Sequence, residues 1–215
     1  MNKLRNFSLV EVSVEHPRWV VFLTVLISLG FLTQFPKVRT DTNPKNMLPP
    51  TAEVRVSNDA VEKTFSLYED MLVVGIVNES GILNEGTLGK IKRITDEILR
   101  TQGVAARDVA GFTTIDNVTA EGGTLRVGPL MHEAPKSARE MEGLRKQLFE
   151  NPMFVGRIIS QDGKTAAIYV PLEKGANGMA IADNIREIVR GEGGPESYYV
   201  AGDPVARDTF GAEMF

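Results

Sequence analysis

The chain has 215 residues, 42% of them hydrophobic and 24% charged, with a formal net charge of −4. That mixture excludes the disordered and low-complexity classes, and Lys and Arg scattered among Asp and Glu give no basic footprint for nucleic acid. The absence of cysteine removes disulfides, thiolate metal sites and Cys nucleophiles.

Residues 1–18 form a basic, amphipathic N-terminus in which Phe7, Leu9, Val10, Val12 and Val14 alternate with Ser8, Glu11, Ser13 and Glu15. Two readings stay open for it: a segment lying along a membrane surface, or a partly ordered tail. Trp19 to Phe35 follows without a single charge. As a helix it covers about 25 Å, and Arg18 and Lys37 extend its reach toward a hydrocarbon core of ~30 Å. Pro17 is placed to start the helix and Pro36 to end it. No small-x-small cleavage site follows the run, so residues 19–36 read as an uncleaved transmembrane helix. The flanking cations (Lys3, Arg5 and Arg18 against Lys37, Arg39 and Lys45) balance, so charge does not orient it.

Residues 37–70 read as a linker, extended over Asp41 to Pro50, and a helix that starts after Thr51 and runs to Phe65. The nearly continuous apolar run Met71–Val77 has the pattern of a strand buried on both faces. Asn84 is suited to cap a helix carrying Leu88, Ile91, Ile94, Ile98 and Leu99, which Gly103 then stops. Val104 to Ile115 is a candidate strand region. Glu121-Gly122-Gly123 is a turn, with Leu125–Val127 returning beside it. Ser137 is suited to cap a helix through Met141, Leu144, Leu148 and Phe149, ended by Asn151-Pro152. Asp162-Gly163 joins Gly156–Ser160 to Thr165–Leu172 as a hairpin. A helix over Ala180–Val189 and a strand over Tyr198–Ala201 complete the order. The fold class expected is α+β: a transmembrane helix, then a domain over 71–215 of βαβ or ferredoxin-like units with a mixed sheet.

The search for chemistry returns no catalytic constellation, phosphate loop or metal motif. His16 and His132 stand far apart and read as interfacial or solvated rather than as ligands. Asp96-Glu97 and Glu140/Glu142 read as solvated helix charges. Asp203-Pro204 and Asp208 could line a cleft, but a turn and a helix cap is the preferred reading. The expectation is a non-enzyme with no cofactor, no metal and no catalytic residue. No ionisable group lies within Trp19–Phe35, so that segment offers no proton relay.

Three stretches, in this order and spacing, resemble a known family. They are His16-Pro17-Arg18, the apolar segment and Asp41–Pro49; then Asn151–Val170; then Ala201-Gly202-Asp203-Pro204-Val205. Together they resemble the N-terminal part of resistance-nodulation-division (RND) exporters of the MMPL-like and hydrophobe-exporter-like branch. The resemblance implies an N-terminal fragment of a proton-driven exporter of lipids, drugs or other amphiphiles, ending at Phe215 where a second membrane helix is expected. It implies an inner-membrane location, a cytoplasmic N-terminus, and an extracytoplasmic porter domain left incomplete at its C-terminus. The partners implied are a lipid bilayer, a hydrophobic or amphiphilic small molecule, and the remaining transporter helices or subunits. No substrate-binding residue is carried over. The alternative is a single-pass anchored extracytoplasmic binding or assembly module.

Overall fold

In a computed structural model the chain is described over residues 14–35, 44–65, 67–121 and 124–214. It divides into two compact units, Met1–Asp41 and Thr42–Phe215. Most of the amphipathic N-terminus, Pro36, the first part of the linker (37–43), the Gly122-Gly123 turn and Phe215 lie outside the described residues.

The first unit carries helix α1, Pro17–Leu32, of 16 residues. Pro17 opens it as expected, but it ends early. The Thr33 hydroxyl donates to the Gly30 carbonyl at 2.7 Å, and the Gln34 N–H turns back to Phe31 at 2.9 Å. These tighter bonds replace the next helical turn. The resulting helix covers about 24 Å. Among the described residues no helix is long and apolar enough to cross a membrane. The transmembrane assignment of residues 19–36 is therefore corrected, and the inner-membrane placement with a domain outside loses its basis.

The second unit is α+β. Its elements are α2 (Pro44–Met47), α3 (Glu53–Phe65), β1 (Met71–Val77), α4 (Glu85–Arg100), β2 (Asp116–Glu121), β3 (Thr124–Pro129), α5 (Ala138–Glu150), β4 (Thr165–Pro171), α6 (Gly178–Glu192), β5 (Ser197–Gly202) and α7 (Asp203–Met214). The main sheet has the order β4-β1-β5, and β1 is antiparallel to both neighbours. The mixed sheet is thus corrected to an antiparallel one. β4, α6 and β5 form a split β-α-β unit with β1 inserted between its strands. The outer edge of β4 carries isolated bridges, Val104–Leu172, Ala110–Tyr169 and Ile159–Ala166, where a full ferredoxin-like sheet would have another strand. The strand expected over Val104–Ile115 is broken by a 3₁₀ turn at Ala106–Asp108.

The register sets the layers. Leu72, Val74 and Ile76 stand opposite Val170, Ile168 and Ala166, and all six are buried. Ile91, Ile94 and Ile98 of α4 and Ile181, Ala182 and Ile185 of α6 join the same core. Each buried aliphatic side chain of Val, Leu or Ile size contributes about 1.5–3 kcal/mol relative to exposure. Val73, Gly75 and Val77 point to the other face and are only partly covered. β1 is therefore not buried on both faces, because the helices pack on one side only.

Local capping follows the sequence closely. The Asn84 side chain accepts from the Thr87 N–H at 2.9 Å. Ser137 and Glu140 form a reciprocal capping box at the start of α5. The backbone N–H groups of Lys136 and Ser137 hold the Glu140 carboxyl below its ordinary range. Ser137→Ala is expected to lower stability by about 1 kcal/mol, read as a shift in the urea midpoint at unchanged slope.

Two segments differ from expectation. The linker contains a helical turn at Pro44–Met47, tied to α3 because Lys45 bridges Asp59 at 2.8 Å and Glu62 at 2.6 Å. Residues 156–160 are not a strand. The turn to β4 is closed by Ser160 N–H to Thr165 O at 2.9 Å and by Gly163 N–H to Ser160 O at 3.0 Å, and only Ile159 bridges back to Ala166.

Candidate functional site

The ionisable residues singled out by sequence do not converge. His16 precedes α1 and His132 lies in an exposed connection. Asp96 pairs with Lys92 at 2.8 Å and Glu97 with Arg100 at 2.6 Å, each along α4. Glu142 is exposed on α5, and Asp203 and Asp208 belong to α7. Among the described residues no group of three or more His, Asp or Glu side chains could hold a metal ion.

A buried polar cluster ties α4 to the connection before β5. Thr87 accepts from Asn78 and Asn84, both at 2.9 Å, and donates to Glu196 at 2.6 Å. Lys90 reaches Glu196 at 2.5 Å and the Gly193 carbonyl at 2.9 Å. Burial works against the Glu196 charge, but the hydrogen bonds from Lys90 and Thr87 outweigh it and hold the carboxyl below its ordinary value. Nearby, burial and then the charges of Glu196 and Glu192 push the Tyr198 phenol up to about 12. The Glu196 side chain is 2% exposed and both carboxylate oxygens are taken by Thr87 and Lys90, so the cluster is structural.

The apolar concavity lies elsewhere. A cleft of about 710 Å³ opens beside the face of the sheet that the helices leave bare. Met71, Ile115, Val118, Met153, Phe154 and Tyr169 supply much of its wall, and Asp108, Asp116, Asn117, Asn151 and Arg157 supply its polar groups. Four stretches of chain build it. β1 and β4 bring Met71 and Tyr169 to the same bare face. The segment after α4 is held against β4 by reciprocal Ala110–Tyr169 backbone bonds of 3.0 and 2.9 Å. The Asn151–Ile158 turn is nucleated by Asn151, whose Oδ1 accepts from the Met153 N–H at 2.9 Å. It is closed by the Phe154 carbonyl, which accepts from Ile158 at 2.8 Å. Finally, the Tyr169 hydroxyl donates to the Arg157 carbonyl at 3.2 Å and joins the turn to the sheet.

Electrostatically the cleft is mixed. Asp108 accepts a hydrogen bond from the Tyr68 hydroxyl, which raises the Tyr68 phenol above its ordinary value. Arg157 is the single cation among the described lining residues. They include no nucleophile–base pair. Half-exposed Met71 and Met153, flexible and polarisable, give walls that adapt to an apolar guest. A larger opening of about 810 Å³ between the end of α4 and the start of α6 is lined by charged and amide side chains together with Ala176, Ala180, Ile181 and Ile188, Arg100 already pairing with Glu97 there.

Sequence reasoning named none of these cleft residues as a site. Their positions are separated by up to a hundred residues, and each type is ordinary in a core. The one signal was the 151–170 stretch, which folds into the Asn151–Ile158 wall and the Tyr169 floor. No protein-family model matches the chain, and no curated protein matches its sequence.

Proposed function

We propose that the unit 42–215 serves as a porter-type domain of a proton-driven RND-type exporter, and that the Met71–Met153 cleft holds its hydrophobic or amphiphilic cargo. The observation that carries this reading is the origin of the cleft's wall. Asn151, Met153, Phe154, Arg157, Ile158 and Tyr169 all come from 151–170, one of the three stretches that together resemble that family. Binding needs no bond-making. The apolar part of the cargo buries against Met71, Ile115, Val118 and Met153, while its polar group stays with the Asp116 and Arg157 side chains. Release requires the wall to part from the sheet, and the Tyr169–Arg157 hydrogen bond is the contact that must open. Energy coupling belongs to the other helices or subunits of the transporter.

The test uses the full chain and a photoactivatable alkyl amphiphile, with labelled peptides mapped by mass spectrometry. Labelling is expected to concentrate on Met71, Val118, Met153 and Ile158. Met153→Asp is expected to reduce it about tenfold, as loss of one apolar contact of that size implies. Labelling confined to Pro17–Leu32, or spread evenly over the surface, would sink the reading.

A further inference from the structure

The β2–β3 hairpin presents its two faces the wrong way round for a hairpin covering its own domain. Val118 stands directly opposite Val127, and Leu125 lies two residues further along the same face. These three side chains are 59%, 67% and 72% exposed, respectively. On the opposite face, Asn117 and Gly128 are only partly exposed. Asn117 donates to Gln147 of α5 at 3.1 Å, and a Cβ on Gly128 would stand 3.8 Å from His132 Nε2. Pairing explains the strands, but no described residue of the unit covers the valines and the leucine. An apolar sheet face left open next to a cleft calls for an occupant.

The cleft itself supplies the argument for which one. Val118 belongs to both surfaces: it lines the cleft and heads the exposed face. The apolar wall therefore does not stop at the cleft mouth but continues from Val118 over Val127 to Leu125, with Asp116 on the same face at the cleft end. We infer that the hairpin is the chain-binding half of the same site. A long-chain amphiphile seats the start of its hydrocarbon chain in the Met71–Met153 cleft and lays the remainder along Val118, Val127 and Leu125. A short-chain amphiphile fills the cleft alone. The hairpin thus sets the preference for chain length. This inference rests on the cleft being the binding site.

Methyl-resolved NMR titration of the full chain with octyl and hexadecyl phosphocholine, each below its micelle-forming concentration, tests it and separates the two readings. Both ligands are expected to shift the Met71 and Met153 methyls, and only the hexadecyl ligand those of Val127 and Leu125. In Val127→Ser/Leu125→Ser, hexadecyl affinity is expected to fall about tenfold or more, with octyl affinity unchanged. Leu125→Met is expected to keep the hexadecyl preference. Equal hexadecyl affinity in the serine variant overturns the hairpin's role while leaving the cleft in place. No shift at Met71 or Met153 with either ligand removes the cleft and this inference with it. Val127 and Leu125 shifts that depend on protein concentration without ligand would assign the face to a second copy of the chain, and overturn the inference as well.

Discussion

Gly202→Ala is expected to lower the free energy of unfolding by about 4 kcal/mol, combining backbone strain with overpacking. Gly202 adopts φ +143°, and a Cβ there would stand 2.3 Å from the Met71 carbonyl oxygen and 3.0 Å from Leu72 Cα. Both are backbone atoms of the central strand, so neither can rotate aside. Relief requires β5 to move off β1 where Leu72 faces Gly202. It also displaces the first turn of α7, whose Pro204 is already packed so closely over Gly178 that a Cβ on that glycine would come within 2.5 Å of it. Urea unfolding followed by far-UV circular dichroism reads the loss. Gly143→Ala and Gly191→Ala are the controls. Both lie inside helices with nothing within 4 Å of the added Cβ, so each is expected to gain about 0.5–1 kcal/mol from helix propensity. A Gly202→Ala protein within about 1 kcal/mol of the parent would show that the β1–β5 approach is looser than described.

Glu196→Ala should cost about 3 kcal/mol, because it strands Lys90 without its carboxylate and Thr87 without its acceptor. The Glu196 side chain is 2% exposed and that of Lys90 15%, so water replaces little of what is lost. The pH dependence has a definite sign. The folded carboxyl lies below its ordinary value of 4.5, so as pH falls through that value the unfolded chain takes up a proton that the folded chain refuses. The stabilisation from Glu196 is complete above pH 4.5 and is lost as pH falls through the lower, folded value. Comparing stability against pH for the parent and Glu196→Gln isolates this group. The parent curve should fall more steeply in that acid window. Parallel curves would mean that the Lys90–Glu196 pair does not hold the carboxylate ionised.

The sequence was most legible where structure is decided locally. The α4 stripe of Leu88, Ile91, Ile94 and Ile98 declares its period and its buried face without knowledge of any partner. Asn84 and Ser137 announce helix starts because a cap needs only the next three residues. The Trp19–Phe35 run failed for the opposite reason. Hydropathy counts apolar residues, but the helix gives way where the Gln34 N–H bonds to Phe31 rather than four residues back, which a hydropathy sum does not register. For Met71–Val77 the composition fits burial on one face or both, and the choice depends on where α4 and α6 pack. The α7 helix was hidden because Asp203-Pro204 reads as a turn, whereas proline is also at home in the first turn of a helix. The cleft was least legible. Met71, Ile115, Met153 and Tyr169 meet only because the β1–β4 register and two non-strand segments bring them there.

The order of strands in the sheet has a consequence for how the chain is made. β1 precedes β4 and β5 in the chain, yet it occupies the centre of their sheet, and neither neighbour exists until much later. At ordinary synthesis rates the interval from Val77 to Gly202 lasts on the order of ten seconds. Throughout it, Met71–Val77 is an uncharged, proline-free apolar run with both edges open, the composition that seeds intermolecular strand pairing. Closing such long loops also makes folding slow once all three strands are present. The protection available in that interval is the next element to emerge. The apolar face of α4, from Leu88 to Ile98, gives the nascent strand an intramolecular surface before it meets another chain.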